Sequence, residues 1–173
     1  MKNYPAKIIL LITMAALVVL VLSFSGARND YTRGNGNGNL YTIVKIIDGD
    51  TLIAYRDDQE TTIRLLGINA PESSGPYRRE ECFGQESTEY LSSLLPIGAL
   101  VDIQTDPSQD TYDKYKRLLG YVFLGKMNIN EELVADGYAY EYTYRKPYRY
   151  QDVFRAAENE ARSQNKGLWG ICK

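Results

Sequence analysis

Histidine is absent from the 173-residue sequence. It is the commonest general base near neutral pH and the commonest transition-metal ligand in proteins. Its absence excludes zinc sites built on histidine, and it excludes Ser-His-Asp and Cys-His catalysis. Carboxylate chemistry with a hard cation remains possible, because Ca²⁺ and Mg²⁺ prefer oxygen ligands.

An excess of positive charge is also lacking. The 20 Lys and Arg residues are outnumbered by 22 Asp and Glu residues, which gives a net charge of −2. This is not the global footprint of a nucleic-acid binder, so any binding to a polyanion must come from a local basic site and a bound cation. Tyrosine, in contrast, is abundant: its 15 copies suit half-buried strand positions or surfaces on which bases stack.

The N-terminus has the pattern of a targeting segment. A positively charged start precedes an apolar run from Ile8 to Phe24, and small residues allow cleavage after Ala27. We predict a cleaved signal peptide over residues 1–27, with an uncleaved membrane anchor as the alternative. Residues 28–40 contain an alternating Gly-Asn run at residues 34–39 and are predicted to be a flexible linker. The domain, residues 41–173, would be secreted or held at the outer face of the membrane.

Cysteine is rare, with Cys82 and Cys172 as the only copies. Two cysteines in an exported chain are expected to pair, which would tie the first predicted helix to the C-terminus. A bridge that closes a loop of about 90 residues contributes roughly 4–5 kcal/mol in the chain-entropy model. Two free or buried thiols are the alternative, and a catalytic thiol is not expected without a histidine to activate it.

Hydrophobic periodicity predicts five strands and three helices. The predicted strands are Leu40–Ile47, Thr51–Tyr55, Thr61–Gly67, Ala99–Thr105 and Leu118–Leu124. The predicted helices are Phe83–Leu95, Ile129–Asp136, capped by Asn128 or Asn130, and Tyr150–Asn165. The last helix is predicted to bury one stripe, made by Tyr150, Val153, Phe154, Ala157 and Ala161. Residues 57–60 are predicted to be a polar turn, and the tyrosine-rich stretch from Tyr138 to Arg145 is predicted to be extended. This order fits an α+β fold with a barrel or a curled sheet.

Candidate functional residues begin at the end of the first strand. Asp48 and Asp50 flank a glycine, and extended chain places both side chains on one face. Two like charges so close need a cation or water, so this turn is either a hard-cation site or a solvated turn. Arg64 lies mid-strand among apolar neighbours, which is costly unless an anion such as a phosphate meets it.

Three motifs together resemble the thermonuclease family, of which staphylococcal nuclease is the type member. They are D-G-D-T at residues 48–51, R-L-L-G-I-N-A-P-E at residues 64–72, and D-K-Y-K-R at residues 113–117 before a Gly-Tyr-Val-Phe strand. The resemblance covers roughly residues 41–170. It sharpens the fold prediction to a five-stranded OB-fold β-barrel with about three α-helices.

The resemblance implies an exported, calcium-dependent endonuclease. It would hydrolyse DNA and RNA, preferably single-stranded, with little sequence preference, and leave 3′-phosphate ends. Asp48, Asp50, Asn69 and the carbonyl of Ala70 would bind Ca²⁺. The type member has an aspartate at the position of Asn69, so one formal charge is lost and weaker calcium affinity is expected. No protein partner is implied, and we expect a monomer.

The same resemblance assigns catalytic and substrate-binding residues. Glu72 would be the general base that takes a proton from a water associated with the metal. Arg64 and Arg117 would contact the scissile phosphate. The residues expected to contact the rest of the nucleotide are Lys114 and Tyr115, on a terminal phosphate, and Tyr142 or Tyr144, on the base. Lys116 stands beside Arg117 where the family usually has a small residue.

Two other functions are open from the sequence. The first is an OB-fold module that binds single strands without cutting them, which Asn69 and the acidic composition favour. Glu72, Arg64 and Arg117 argue against it, because a binding module has no need of a general base. The second is a cell-surface protein-interaction domain that uses its tyrosines for contacts. It predicts no salt-dependent binding to nucleic acid.

Overall fold

The strands of the domain form a closed sheet. The structure, a computed structural model, describes residues 40–73, 75 and 79–172, so the predicted targeting segment and residues 28–39 of the linker lie outside the described residues. The strands of that part are β1 Leu40–Asp48, β2 Thr51–Arg56, β3 Gln59–Leu65, β4 Ile68–Asn69, β5 Leu100–Gln104, β6 Leu118–Leu124, β7 Met127–Asn128 and β8 Tyr140–Glu141. Its helices are α1 Gly84–Leu94, α2 Ile129–Ala135, α3 Gln151–Ser163 and α4 Leu168–Ile171.

Five strands make the barrel, in the order β3-β2-β1-β5-β6. Neighbouring strands in this order are antiparallel, and a parallel pairing of β3 with β6, which sets Ile63 opposite Leu118, closes the barrel. Closure removes the exposed edges of the sheet. The predicted fold class, an α+β protein built on a five-stranded OB-fold barrel, is confirmed.

Local irregularities in β1 and at the first hairpins position the candidate site. The pairing of β1 with β2 shifts register between Ile46 and Asp48, and such a shift bends a strand and re-aims its side chains. The β2–β3 turn uses Asp57 and Asp58 with φ of 50° and 61°, as a tight hairpin turn with two left-handed residues requires. Its strands resume at Gln59, so the polar turn is shorter than predicted.

The core fills the barrel and the space between the barrel and the helices. Buried apolar side chains include Ile43, Leu52, Ile63, Leu65, Val101, Ile103, Tyr121 and Val122 from the strands. Leu91, Leu133 and Phe154 add one buried anchor from each of the three longer helices. The stripe predicted on the last helix is wrong at Val153, which is 44% exposed.

Asn128 and Asn130 have different roles at the start of α2. Asn128 is the cap, because its side chain accepts the N–H of Asn130. The Asn130 side chain is fully buried; it accepts the N–H of Val122 and donates to the carbonyls of Leu66 and Gly120. The Asn130 side chain therefore supplies hydrogen bonds to buried backbone groups of β6 and of Leu66, which follows β3.

The third strand ends two residues earlier than predicted because Gly67 turns the chain. Its φ is +79°, and a Cβ there would lie 2.6 Å from the Tyr148 ring. Only glycine fits that conformation and that contact. The chain then forms the two-residue β4, which pairs with β8. Within the predicted extended stretch from Tyr138 to Arg145, only these two β8 residues are strand.

The two cysteines are paired, as predicted. The disulfide joins Cys82, just before α1, to Cys172, just after α4, with their Cα atoms 5.8 Å apart. Within the ranges that the structure describes, no helix combines the length and the apolarity needed to cross a membrane.

Candidate active site

Asp50 is the buried centre of the candidate site. It is 5% exposed. Its Oδ2 accepts the backbone N–H of Ala70 at 2.9 Å and lies 2.8 Å from Nη2 of Arg64, while its Oδ1 accepts the Thr51 hydroxyl at 2.9 Å. The preceding carboxylate, Asp48, accepts the N–H of Asp50 at 3.1 Å. The D-G-D-T turn and the N-A-P segment are thus joined directly.

Burial and, to a smaller extent, the Asp48 carboxylate raise the pKa of Asp50 to about 6, although the Arg64 guanidinium and the hydrogen bonds from Ala70 and Thr51 oppose this shift. One arginine and two hydrogen bonds therefore do not fully offset two neighbouring carboxylates in a buried position. A bound cation would supply the missing positive charge. This imbalance is the observation that fits a cation at the turn.

Gly49 allows this close junction. A Cβ at this position would lie 2.7 Å from the Cβ of Ala70 and 2.7 Å from the Cβ of Ser87. The turn between the two aspartates is therefore pressed between the N-A-P segment and helix α1. Glycine is needed here for space, not for an unusual backbone conformation.

Arg64 crosses the gap between β3 and β4. Its Nη1 donates to the carbonyls of Leu65 and Ile68 at 2.7 and 2.9 Å, and its Nη2 donates to Asn69 Oδ1 at 3.0 Å in addition to its ion pair with Asp50. The side chain is 13% exposed. The anion that offsets its burial is thus Asp50 in this structure, and the same guanidinium orients Asn69.

The donors predicted to bind calcium are all oxygen atoms, but only two belong to carboxylates. Within the described residues, no three Asp, Glu, His or Cys side chains form a cluster that could hold a metal. The remaining donors of the predicted set are the amide oxygen of Asn69 and the carbonyl of Ala70, which a hard cation accepts. The residues present therefore fit a hard, oxygen-seeking cation, with fewer formal charges than an all-carboxylate site.

Arg117 reaches the same region from the loop before β6. Its Nε lies 2.7 Å from Asp113 Oδ2, and its Nη1 lies 3.5 Å from the Thr51 hydroxyl. Burial works to raise the pKa of Asp113, but hydrogen bonds from the Arg117 backbone and side chain and from Tyr115 lower it overall. Asp113 is thus an ionised carboxylate that fixes the orientation of the Arg117 side chain. Lys116 has φ of 65°, a conformation that favours glycine, so a small residue suits this position.

A cleft of about 430 Å³ lies beside Arg64. The predicted site residues that line it are Arg64, Asn69, Lys114, Tyr115, Arg117, Tyr142 and Tyr144. Tyr115, Tyr142 and Tyr144 are 67%, 45% and 65% exposed. Lys114 lies over the Tyr115 ring and Arg145 over the Tyr144 ring, with their charged groups 4.8 and 4.9 Å from the ring centroids, so exposed rings and cations share this surface. The structure therefore brings every predicted substrate-binding residue and both predicted catalytic arginines to one cavity.

Glu72 lies two residues beyond Ala70 and is not among the described residues that line the cleft. Its side chain is half-buried. Its backbone N–H donates to the Glu81 carboxylate at 3.0 Å, and its carbonyl accepts the N–H of Glu81 at 2.9 Å. The position of its backbone is thus set by the segment that leads into α1.

Some residues at the site were not predicted. Thr51 links Asp50 to Arg117 through its hydroxyl, and Asp113 holds Arg117. Tyr112 and Arg145 line the cleft beside the predicted residues. Thr51 and Asp113 belong to the quoted motifs, and this membership could have identified them as site residues. Tyr112 and Arg145 had no signal beyond a general excess of tyrosine and a polar loop.

Comparison with known proteins gives the family. The family model described as staphylococcal nuclease homologue matches residues 62–170. The thermonuclease of Staphylococcus hyicus is 32% identical over 163 residues, which cover 92% of this chain and 95% of that protein. The thermonuclease of Staphylococcus intermedius is 28% identical over 161 residues, 92% and 94% of the two chains. Endonuclease YncB of Bacillus subtilis (strain 168) is 32% identical over 129 residues, 74% of this chain and 60% of YncB.

The matched relatives define the class of protein, a hydrolytic nuclease, and the fold is an OB-fold barrel with Arg64 and Arg117 as candidate catalytic residues. The chain belongs to the family of staphylococcal nuclease homologues. The predicted thermonuclease resemblance and the predicted enzyme class, a hydrolytic nuclease, are confirmed.

Proposed function

We propose that this nuclease is an exported, calcium-dependent endonuclease that hydrolyses DNA and RNA with little sequence preference and leaves 3′-phosphate ends. The observation that carries the proposal is the convergence of Arg64, Arg117 and three exposed tyrosines on one cleft, with Arg64 joined to Asp50 at 2.8 Å. The cleft is a local basic site on a protein of net charge −2. The charged and apolar pattern of residues 1–27 supports the export part of the proposal.

The cation would be held by Asp48, Asp50, Asn69 and the carbonyl of Ala70. When bound, Ca²⁺ would stabilise the negative charge that develops on the phosphoryl oxygens. Arg64 and Arg117 would contact the scissile phosphate with fixed positive charge and forked donors. Arg64 would exchange some of its present hydrogen bonds for the phosphate, while Asp113 keeps Arg117 oriented.

Glu72 would accept a proton from the attacking water, so that the water oxygen bonds to phosphorus and the opposite bond, to the 5′ oxygen, breaks. The departing 5′ oxygen would take up a proton from solvent and leave as a hydroxyl. Lys114 and Tyr115 would contact a terminal phosphate, and Tyr142 or Tyr144 would stack on the base. Stacking on exposed rings needs an unpaired base, which favours single-stranded substrate. It reads no base edge, which accounts for the low sequence preference.

The test is cleavage of single-stranded DNA and of RNA by the purified protein with Ca²⁺, with Mg²⁺ and with chelator, followed by analysis of the product ends. We expect cleavage only with Ca²⁺, and 3′-phosphate ends. Salt-dependent binding without cleavage at any calcium concentration would contradict the proposal and support the OB-fold binding module. Absence of binding as well would support the protein-interaction domain. Sedimentation of the same sample tests the expected monomer.

A further inference from the structure

The disulfide ends in the segment that fixes the backbone of Glu72. Cys82 lies between Glu81, whose backbone and side chain both bond the Glu72 backbone, and Gly84, which packs on it. A Cβ at Gly84 would lie 2.2 Å from the Glu72 carbonyl oxygen, so the two backbones are in direct contact. The bridge is therefore attached within the four-residue span, Glu81 to Gly84, that contacts the Glu72 backbone.

The other end of the bridge is a fixed point. The N–H of Cys172 donates to the Leu168 carbonyl at 2.8 Å, and the N–H of Leu168 donates to the Gly137 carbonyl at 2.9 Å. Leu168 is 1% exposed, so α4 is seated in the body of the domain. Cys82 is exposed, so few contacts hold it in place, and the covalent link to this fixed point restrains it.

The rest of α1 has its own anchors. Ser87 Oγ donates to the carbonyls of Phe83 and Tyr138 at 2.8 and 2.6 Å, and Leu91 is fully buried. Without the bridge, the helix body should therefore stay in place against the D-G-D-T turn. The released part is the stretch Glu81–Cys82 that precedes the helix, and with it the Glu72 backbone groups that bond to Glu81.

We propose that the Cys82–Cys172 disulfide is a positioning element for Glu72, so that thiol reductants lower turnover while the cleft keeps its affinity for the substrate. This inference rests on the proposed role of Glu72 as general base. Cys82 is exposed, so a dithiol can reach it. Reduction breaks the Sγ–Sγ bond, adds two electrons and two protons to give two thiols, and oxidises the dithiol to its own disulfide.

The test compares three forms of the full chain at saturating Ca²⁺: oxidised, treated with dithiothreitol, and the double variant Cys82→Ser/Cys172→Ser. We expect kcat to fall about tenfold or more in the two forms without the bridge, since small misplacement of a catalytic group costs up to about 100-fold. The KM for single-stranded DNA should change less than about twofold, because the cleft residues lie outside the released segment. Reoxidation of the wild-type protein should restore kcat.

Hydrogen exchange provides a readout besides activity. The amides of Glu72 and Glu81 should exchange faster without the bridge, while the amide of Val122 in the barrel keeps its protection. Gly84→Ala, with the bridge intact, should reproduce the kcat loss by pushing on the Glu72 carbonyl. Val101→Ala, a core change in β5, is the control for stability: it should lower the melting temperature and leave kcat unchanged well below that temperature.

Equal kcat in the oxidised and reduced forms would overturn the inference. It would also be overturned if the fall in kcat came with a comparable change in KM and with loss of exchange protection in the barrel. These results are separable from a failure of the proposed function. If Glu72→Gln abolishes cleavage but reduction leaves the kcat of the wild-type protein unchanged, only the positioning inference is wrong. If Glu72→Gln cleaves at the wild-type rate, the proposed base is wrong whatever reduction does.

Discussion

The substitution Gly49→Ala should damage both the stability of the fold and the proposed calcium site. Its new Cβ would lie 2.7 Å from the Cβ atoms of Ala70 and Ser87, whereas carbon atoms pack best about 3.5–4.0 Å apart. Each neighbour would have to move by roughly 1 Å, and the two belong to different elements. Overpacking of this kind costs about 1–3 kcal/mol, and we expect about 2–3 kcal/mol because two contacts are violated at once.

The assay is urea unfolding with calcium binding measured on the same samples. Gly75→Ala is the matched control, because its new Cβ would meet no heavy atom of the described residues within 4 Å. Adding Ala70→Gly to Gly49→Ala removes one of the two clashes and should recover part of the stability, which a double-mutant cycle measures. If the Gly49→Ala variant has the urea midpoint and the calcium affinity of the wild type, this reasoning is refuted.

Three further predictions concern the calcium site, the loop after β5 and the cleft. Asn69→Asp should tighten calcium binding about tenfold or more in calorimetry, because it adds a carboxylate to the donor set; unchanged affinity would contradict its assignment as a ligand. Asp106→Asn should cost about 1–3 kcal/mol in urea unfolding, since the Asp106 carboxylate accepts hydrogen bonds from the N–H groups of Ser108 and Arg149 and from the Tyr121 hydroxyl, and such bonds outweigh burial and lower its pKa. A lowered folded-state pKa means that this stability is present above the ordinary value of 3.8 and is lost as pH falls below it, so the variant should lose less stability on acidification than the wild type. Tyr142→Ala or Tyr144→Ala, whichever ring stacks on the base, should weaken oligonucleotide binding by about 1–3 kcal/mol, whereas the exposed Tyr55→Ala outside the cleft should not.

Local pattern predicted the elements whose residues decide their own structure. β6 was predicted with both bounds correct, because its apolar residues lie between a charged loop and a Gly-Lys turn. The start of α2 was predicted from an asparagine cap, although the sequence did not choose between Asn128 and Asn130. The barrel itself followed from the family resemblance, since strand order alone left a curled sheet as an alternative.

The remaining features depend on contacts between residues far apart in sequence. The end of β3 at Leu65 depends on Gly67 meeting Tyr148, 81 residues later. The hydrogen bond from Arg117 to Thr51 spans 66 residues. The motifs include Gly67, Thr51 and Arg117 but not Tyr148, and they do not give the contacts of these residues, because no local periodicity encodes a contact of this length. The buried ion pair of Arg64 with Asp50 was likewise outside what the pattern could show: an anion was expected at Arg64, and the structure supplies it from the protein itself.

The central claim, that Glu72 is the general base of a calcium-dependent nuclease, is tested most directly by Glu72→Gln. Cleavage of single-stranded DNA at saturating Ca²⁺ and affinity for the same strand would be measured together, with the exposed Glu60→Gln as control. We predict that Glu72→Gln lowers kcat by a factor of about 100 or more while strand affinity stays within about twofold, and that the control is unchanged. Wild-type turnover in Glu72→Gln would contradict the account.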